Sequence, residues 1–149
     1  MIDTLRDNAY GHFSGDGLEY VITDPRTPRP WVNVIANPRL GLVVSHTGSG
    51  FTFIDNSQLG VITRWQQELV EDCSGKALYL RDAATGSVWS AAPAPVWAPD
   101  ARHICRHGLG FTTFETARDG VDCRWTLLAP AERTAELWLV ELTEFSGRD

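Results

Sequence analysis

Apolar positions along this chain fall in short runs rather than at helical spacing. The runs are bounded by Gly, Pro, Asn and Asp, and no segment longer than a few residues keeps a helical period. The pattern predicts an all-β fold, an antiparallel β-sandwich with little helix. Tyr20-Val21-Ile22-Thr23 follows Ser14-Gly15-Asp16-Gly17, a hairpin signal, because glycine enters the left-handed backbone region without steric penalty. Pro25-Arg26-Thr27-Pro28-Arg29-Pro30 must run extended, since each proline fixes its own φ and restricts its predecessor. Strands are predicted at Val32–Ile35, Leu40–Ser45 and Phe51–Ile54, with His46-Thr47-Gly48-Ser49-Gly50 turning between the last two.

The stretch from Gln58 to Asp72 is less regular, and Trp65-Gln66-Gln67-Glu68-Leu69-Val70 fits one short helical turn or a long loop. Ala77–Asp82 and Ser87–Ser90 flank Ala84-Thr85-Gly86 as a hairpin, and Ala91–Pro99, with three prolines, reads as a connector. Val121, Cys123, Trp125 and Leu127 alternate with Asp122, Arg124 and Thr126, which predicts a strand with one wet face. Leu137-Trp138-Leu139-Val140 is apolar on both faces, so that strand is expected to be covered twice, as in a sandwich. These patterns place Trp125 and Trp138 in the core. Ser146-Gly147-Arg148-Asp149 is turn chemistry with no return strand, and we expect the native polypeptide to continue.

Composition narrows the function classes. The 149 residues suit one domain, so 1–149 is read as a single β-sandwich or part of one, with 1–9 as a flexible N-terminus. Thirteen basic residues against nineteen acidic ones give a net charge of −6, which offers no sequence-wide attraction for nucleic acid. No apolar run approaches the roughly 20 residues that cross a bilayer, and the acidic start differs from a secretory leader. We therefore expect a cytoplasmic segment without membrane contact of its own. The three cysteines, Cys73, Cys105 and Cys123, form no C-x-x-C and are expected to be reduced. No phosphate-binding glycine loop opens a helix, and Lys76, the single lysine, lies outside any such loop, so no cofactor is expected. A nucleophile elbow is missing as well.

An ordered series of short segments carries a family resemblance. It comprises Tyr10–Phe13 with Asp16–Thr23, Thr27-Pro28-Arg29-Pro30-Trp31-Val32-Asn33, and Ala36-Asn37-Pro38-Arg39. Ser45–Phe51 (S-x-T-G-x-G-F), Asn56-Ser57 and Thr63-Arg64-Trp65 follow, then Leu78–Asp82, Val88-Trp89-Ser90 and Arg106-His107-Gly108-x-Gly110-Phe111-Thr112. Together they resemble the N-terminal β-sandwich of the family 94 glycoside phosphorylases, which include cellobiose and chitobiose phosphorylases and the C-terminal part of cyclic β-1,2-glucan synthases. The wording is nearer to the synthases. The resemblance implies part of a supersandwich domain that packs on a catalytic (α/α)₆ barrel. That barrel carries the catalytic acid and most of the sugar and phosphate sites. None of those motifs has a counterpart here, so the chain alone is expected to be inactive although its parent transfers or phosphorolyses β-glucosyl groups. Membrane tethering of a parent synthase would come from its other parts.

The remaining candidates are surface contacts. Sugars stack their C–H faces on indoles, and among the six tryptophans Trp31, Trp65 and Trp97 sit in loop-like context. Trp65 leads, because Asn56, Ser57 and Arg64 add polar groups on the same loop, which suits weak binding of a β-glucan or oligosaccharide. Arg106 and His107 are the second candidate, as an anion contact or a salt bridge between domains, with Gly108 and Gly110 marking an unusual backbone. His103-x-Cys105-x-His107 puts three metal-capable side chains on one strand face, but we read it as structural and assign no metal. Pro25-x-x-Pro28 is read as a crossover segment rather than a polyproline ligand. The rival functions are a free-standing carbohydrate-binding module and, further off, a small zinc or thiol enzyme. The predicted partners are thus glucan, the parent's barrel and a second copy of the chain.

Overall fold

The computed structural model describes residues 7–64, 66, 70–145 and 147, and among them it holds strands but no helix. The strands are β1 (Gly11–Phe13), β2 (Glu19–Ile22), β3 (Val32–Ala36), β4 (Leu40–Ser45), β5 (Gly50–Ile54), β6 (Tyr79–Arg81) and β7 (Val88–Ser90). Three long strands and one shorter complete the chain: β8 (Arg102–Gly108), β9 (Phe111–Arg118), β10 (Val121–Leu128) and β11 (Leu137–Glu144). One sheet has the order β1-β2-β8-β9-β10-β11, a second is β3-β4-β5, and β6-β7 is a separate hairpin. Every pairing is antiparallel. Two of three sheets thus follow chain order, as hairpins with short connections require.

The core lies between the large sheet and β3-β4-β5. Alternation on β10 turns Cys123, Trp125 and Leu127 inward, level with Thr116, Phe114 and Thr112 on β9. Leu40, Leu42, Val44 and Ile35 of the small sheet close over them, and Ala91 and Ala92 seal one side. Each such large apolar side chain contributes roughly 1.5–3 kcal/mol on burial. Polar clips fix the two sheets together. The Asn33 amide donates to the carbonyls of Gly108 (2.8 Å) and Phe111 (2.9 Å), and that of Asn37 donates to Pro130 (2.8 Å) and Arg133 (2.7 Å).

The last strand departs from expectation. β11 lies at the edge of the large sheet, and every one of its residues is exposed. In register, Trp125 (1% exposed) sits beside Val140 (43%), although the two share a face. The small sheet covers β9 and β10 but stops short of β11, so the double cover read from Leu137–Val140 is not made among the described residues. Trp138, expected in the core, is 39% exposed; its ring meets Trp125 edge-on at 4.9 Å. What holds this end of β11 is polar. Glu136 accepts from Lys76 Nζ, from Thr52 Oγ1 (2.6 Å) and from Trp138 Nε1 (2.5 Å), and Lys76 also donates to Thr52 (2.8 Å). Burial pushes the Lys76 ammonium down, while Glu136 pulls it back up.

The helical turn expected around Trp65–Val70 falls largely on residues 65 and 67–69, outside the described residues. The part before it is described: Asn56 and Gly60 close a turn, and Val61 returns beside Phe53 on β5. At the other end, Asn8 bridges to Gly11 and donates to the Tyr20 hydroxyl at 3.0 Å.

Candidate functional site

The Ser45–Phe51 turn is a fastening point for three other segments. Ser45 Oγ and Thr47 Oγ1 each donate to one Asp72 carboxylate oxygen at 2.6 Å, and Ser49 donates to the Ser74 carbonyl at 2.9 Å. His46 is 2% exposed; its Nδ1 accepts the Trp31 amide at 3.2 Å, so the ring proton sits on Nε2. From there it faces the Pro25 carbonyl (2.9 Å) and Thr27 Oγ1 (3.0 Å), pinning the proline-rich strap. The Thr47 carbonyl accepts the Ala94 amide at 2.9 Å, and the Pro93 carbonyl accepts that of Trp97 at 2.8 Å. Motif residues and the loop bearing Trp97 are thus joined through the main chain.

Of the sugar-contact candidates, the structure describes Asn56, Ser57 and Arg64. Asn56 spends its side-chain oxygen on the amides of Gln58 (2.8 Å) and Leu59 (2.9 Å), shaping its own turn at the far end of β5. Ser57 is exposed at that tip, while Arg64 is exposed after the chain has run back along β5. At about 3.3 Å per strand residue, that return puts Arg64 some ~10 Å or more from Asn56. Trp65 lies outside the described residues.

Arg106 and His107 point to opposite faces of β8, as neighbours on a strand must. Arg106 sits on the outer face between Glu19 (3.4 Å) and Glu115 (3.2 Å), and Arg124 reaches Glu115 at 3.0 Å. All four groups belong to this sheet, so Arg106 already has its carboxylates. His107 faces the core. Thr112 takes the Asn33 amide and passes its own proton to His107 Nδ1 (3.0 Å), leaving Nε2–H to donate to the Trp31 carbonyl (3.3 Å). The two glycines serve this hairpin itself: a Cβ on Gly108 would strike the Phe111 ring at 2.4 Å, and Gly110 turns at φ 83°.

His103, Cys105 and His107 do share the inner face, yet each histidine is aimed at a threonine on β9. His103 Nδ1 bonds Thr116 at 2.9 Å, and Thr116 donates onward to the Ala91 carbonyl at 2.7 Å. Among the described residues no three His, Cys, Asp or Glu side chains converge to hold a metal ion. Burial lowers both histidines to about 4 and raises the Cys105 thiol well above its usual range. Both imidazoles are neutral and the thiol is inert, although His103 Nε2 is buried without a hydrogen-bond partner among the described residues. Sequence reasoning missed Asp72, Lys76 and Glu136, each bonded to a residue 25 to 60 positions off in the chain.

A two-layer, all-antiparallel fold whose polar motif residues are spent on fastening loops defines a structural domain of the sandwich class. The chain belongs to the glycosyl hydrolase 94 supersandwich domain family, whose model matches residues 18–149. It is 34% identical over 141 residues to an N,N'-diacetylchitobiose phosphorylase of Vibrio furnissii, covering 93% of this chain and 18% of that protein. A solabiose phosphorylase of Paenibacillus borealis is 35% identical over 143 residues, covering 94% and 18%. A cyclic beta-(1,2)-glucan synthase of Rhizobium meliloti is 34% identical over 139 residues, covering 91% and 5%. The chain thus spans less than a fifth of the length of these relatives.

Proposed function

We propose that this chain is the non-catalytic supersandwich portion of a larger carbohydrate-active enzyme, a glycoside phosphorylase or a cyclic β-glucan synthase. In that role it supports a catalytic (α/α)₆ barrel in the cytoplasm. The observation that carries the reading is β11. Leu137, Leu139 and Leu142 are 42–57% exposed on a strand that is apolar on both faces and has no partner along one edge among the described residues, the profile of an element meant to be covered. The small share of each relative that the chain matches supports the same view. Weak contact of the loop 56–65 with glucan belongs to this reading, and loss of that contact in Trp65→Ala measures it.

The deciding experiment compares the 149-residue chain with a polypeptide extended through the barrel. Incubated with phosphate and N,N'-diacetylchitobiose or cellobiose, the chain should release no sugar phosphate, while the extended protein turns over one such disaccharide. Turnover by the chain alone would overturn the proposal.

A further inference from the structure

Three histidines, His46, His103 and His107, lie inside this fold, and their bonds answer acid differently. His103 gives its Nδ1 proton to Thr116, which donates onward to the Ala91 carbonyl, so a second proton would enter at the bare Nε2. His107 accepts from the Thr112 hydroxyl at 3.0 Å. A hydroxyl can turn about its C–O bond and accept instead, so this contact survives a charged ring. His46 has no such freedom. Its Nδ1 accepts the main-chain N–H of Trp31 at 3.2 Å, and an amide N–H only donates. A proton on that nitrogen sets two donors against each other, and the bond is lost.

That bond stands in for a ladder bond. Trp31 and His46 lie opposite each other just before β3 and just after β4, continuing the register of Val32 with Ser45. The His46 N–H donates to the Trp31 carbonyl at 2.9 Å, as an antiparallel pair requires. The return bond, from the Trp31 N–H, goes to the imidazole instead of the His46 carbonyl. The same ring donates from Nε2 to the Pro25 carbonyl and Thr27 Oγ1. Among the described residues, the other hydrogen bonds of 25–30 are local, from the Arg26 amide to Asp24 and from the Thr27 hydroxyl to the Arg29 carbonyl. One imidazole therefore fastens the strap to the rest of the fold. Charges of both signs face it. Arg26 and Arg29 of the strap and Glu71 and Asp72 of the following loop line the hollow beside the ring, with Asp72 held by Ser45 and Thr47. From β8, His107 reaches the Trp31 carbonyl with its Nε2 proton.

We propose that His46 is an acid-operated latch, whose protonation releases the Trp31 amide and the Pro25–Pro30 strap while both sheets stay folded. The closed ring is bonded at both nitrogens, so a proton enters only in the open form, where a solvated imidazole ionises near about 6.5. The opening equilibrium is flat above about pH 7 and rises about tenfold per pH unit below about 6.5. His103 and His107 take protons only at about 4, so the sheets keep both neutral over the upper part of that range. Pro25 and Arg26 line the hollows on either side of Trp97, and release of the strap opens that surface to solvent. The latch is a property of this domain alone and does not depend on the barrel.

The test is hydrogen exchange of the 149-residue chain, followed by NMR from about pH 7.5 to about 5, where solvated histidines change charge. The protection of the Trp31 amide should fall about tenfold per pH unit below about 6.5, while the Trp125 amide, inside the large sheet, stays protected. Wherever the Trp31 amide is still protected, the ring nitrogen shifts of His46 should be those of a neutral, Nε2–H imidazole. His46→Asn keeps an oxygen in the place of Nδ1 and takes no proton, so in that variant Trp31 protection should no longer follow pH. Should the variant fail to fold, exchange and nitrogen shifts of the unaltered chain still give the answer. Trp31 protection that ignores pH, a charged His46 with the Trp31 amide still protected, or an unchanged pH response in folded His46→Asn would overturn the proposal. Simultaneous loss of protection at Trp31 and Trp125 would overturn it too, since that is unfolding of the whole domain.

Discussion

At the scale of single residues, the inner face of β8 makes this fold sensitive to acid. His103 and His107 stay neutral in the native state down to about pH 4, whereas an unfolded chain protonates them near 6.5. The unfolded state therefore holds more protons between those values. Stability is complete above about pH 7, falls as pH drops from 6.5 towards 4, and loses nothing further from these groups below that. Each histidine contributes a slope of at most ~1.4 kcal/mol per pH unit, less for His103, which is the less buried. Thermal melts across this range should show the loss, and His107→Gln should remove about half of it, the share of His103 remaining. Lys76 makes a second prediction. Its side chain is 9% exposed and that of Glu136 14%, so Lys76→Met should cost roughly 3 kcal/mol in a denaturant titration by stranding the carboxylate. Neither pairing was legible in the sequence, because Lys76 and Glu136 stand 60 positions apart and only folding brings them together.

Among the elements, strands whose inward positions are apolar were legible, and those with polar inward positions were not. β10 matches its sequence pattern because Cys123, Trp125 and Leu127 alternate with the more accessible Asp122, Arg124 and Thr126, and β4 because its apolar run is covered on both faces, with only Val43 half-buried. β9 carries Thr112 and Thr116 inward, where they serve His107, His103 and the Ala91 carbonyl, and this mutes its period of two. The Ser45–Phe51 turn was legible as a motif but not as a joint. Asp72→Ala should remove the carboxylate shared by the Ser45 and Thr47 hydroxyls, both nearly inaccessible, leaving them only their mutual bond and the main-chain carbonyl of residue 72, at a cost of about 2 kcal/mol. Asp72→Asn, which suits φ 44°, should cost less; equal losses would show that the charge matters more than the joint. For β11, Leu139→Lys and Leu142→Lys should reduce self-association in light scattering while moving the melting temperature little, since both side chains are more than half exposed.

For the whole molecule, the two ends of the large sheet behave differently. β1 is three residues long and offers little template for another strand, whereas β11 presents eight residues with one open edge. A polypeptide continuing through further strands should melt at a higher temperature and associate less than the 149-residue chain. Equal melting and a monomeric short chain would favour the free-standing carbohydrate-binding module instead. The outer-face network of Glu19, Arg106, Glu115 and Arg124 is half-exposed and adds little to stability on this scale.

The sequence by itself determined the all-β class, most strand positions and the family, because period-two alternation, turn residues and an ordered set of short motifs are local properties of the chain. It did not determine which residues meet. Trp138 and Trp125 carry the same local signature, yet one lies at the sheet edge and the other beneath a second sheet, a difference set by strand order alone. Arg106 and His107 are adjacent in sequence and were read as one site, but the pleat sends one to the salt-bridge face and the other to the core. Trp97 read as a loop tryptophan; that its loop is fastened to the Ser45–Phe51 turn, through the Ala94 amide and the Thr47 carbonyl, was decided by segments some distance apart in the chain.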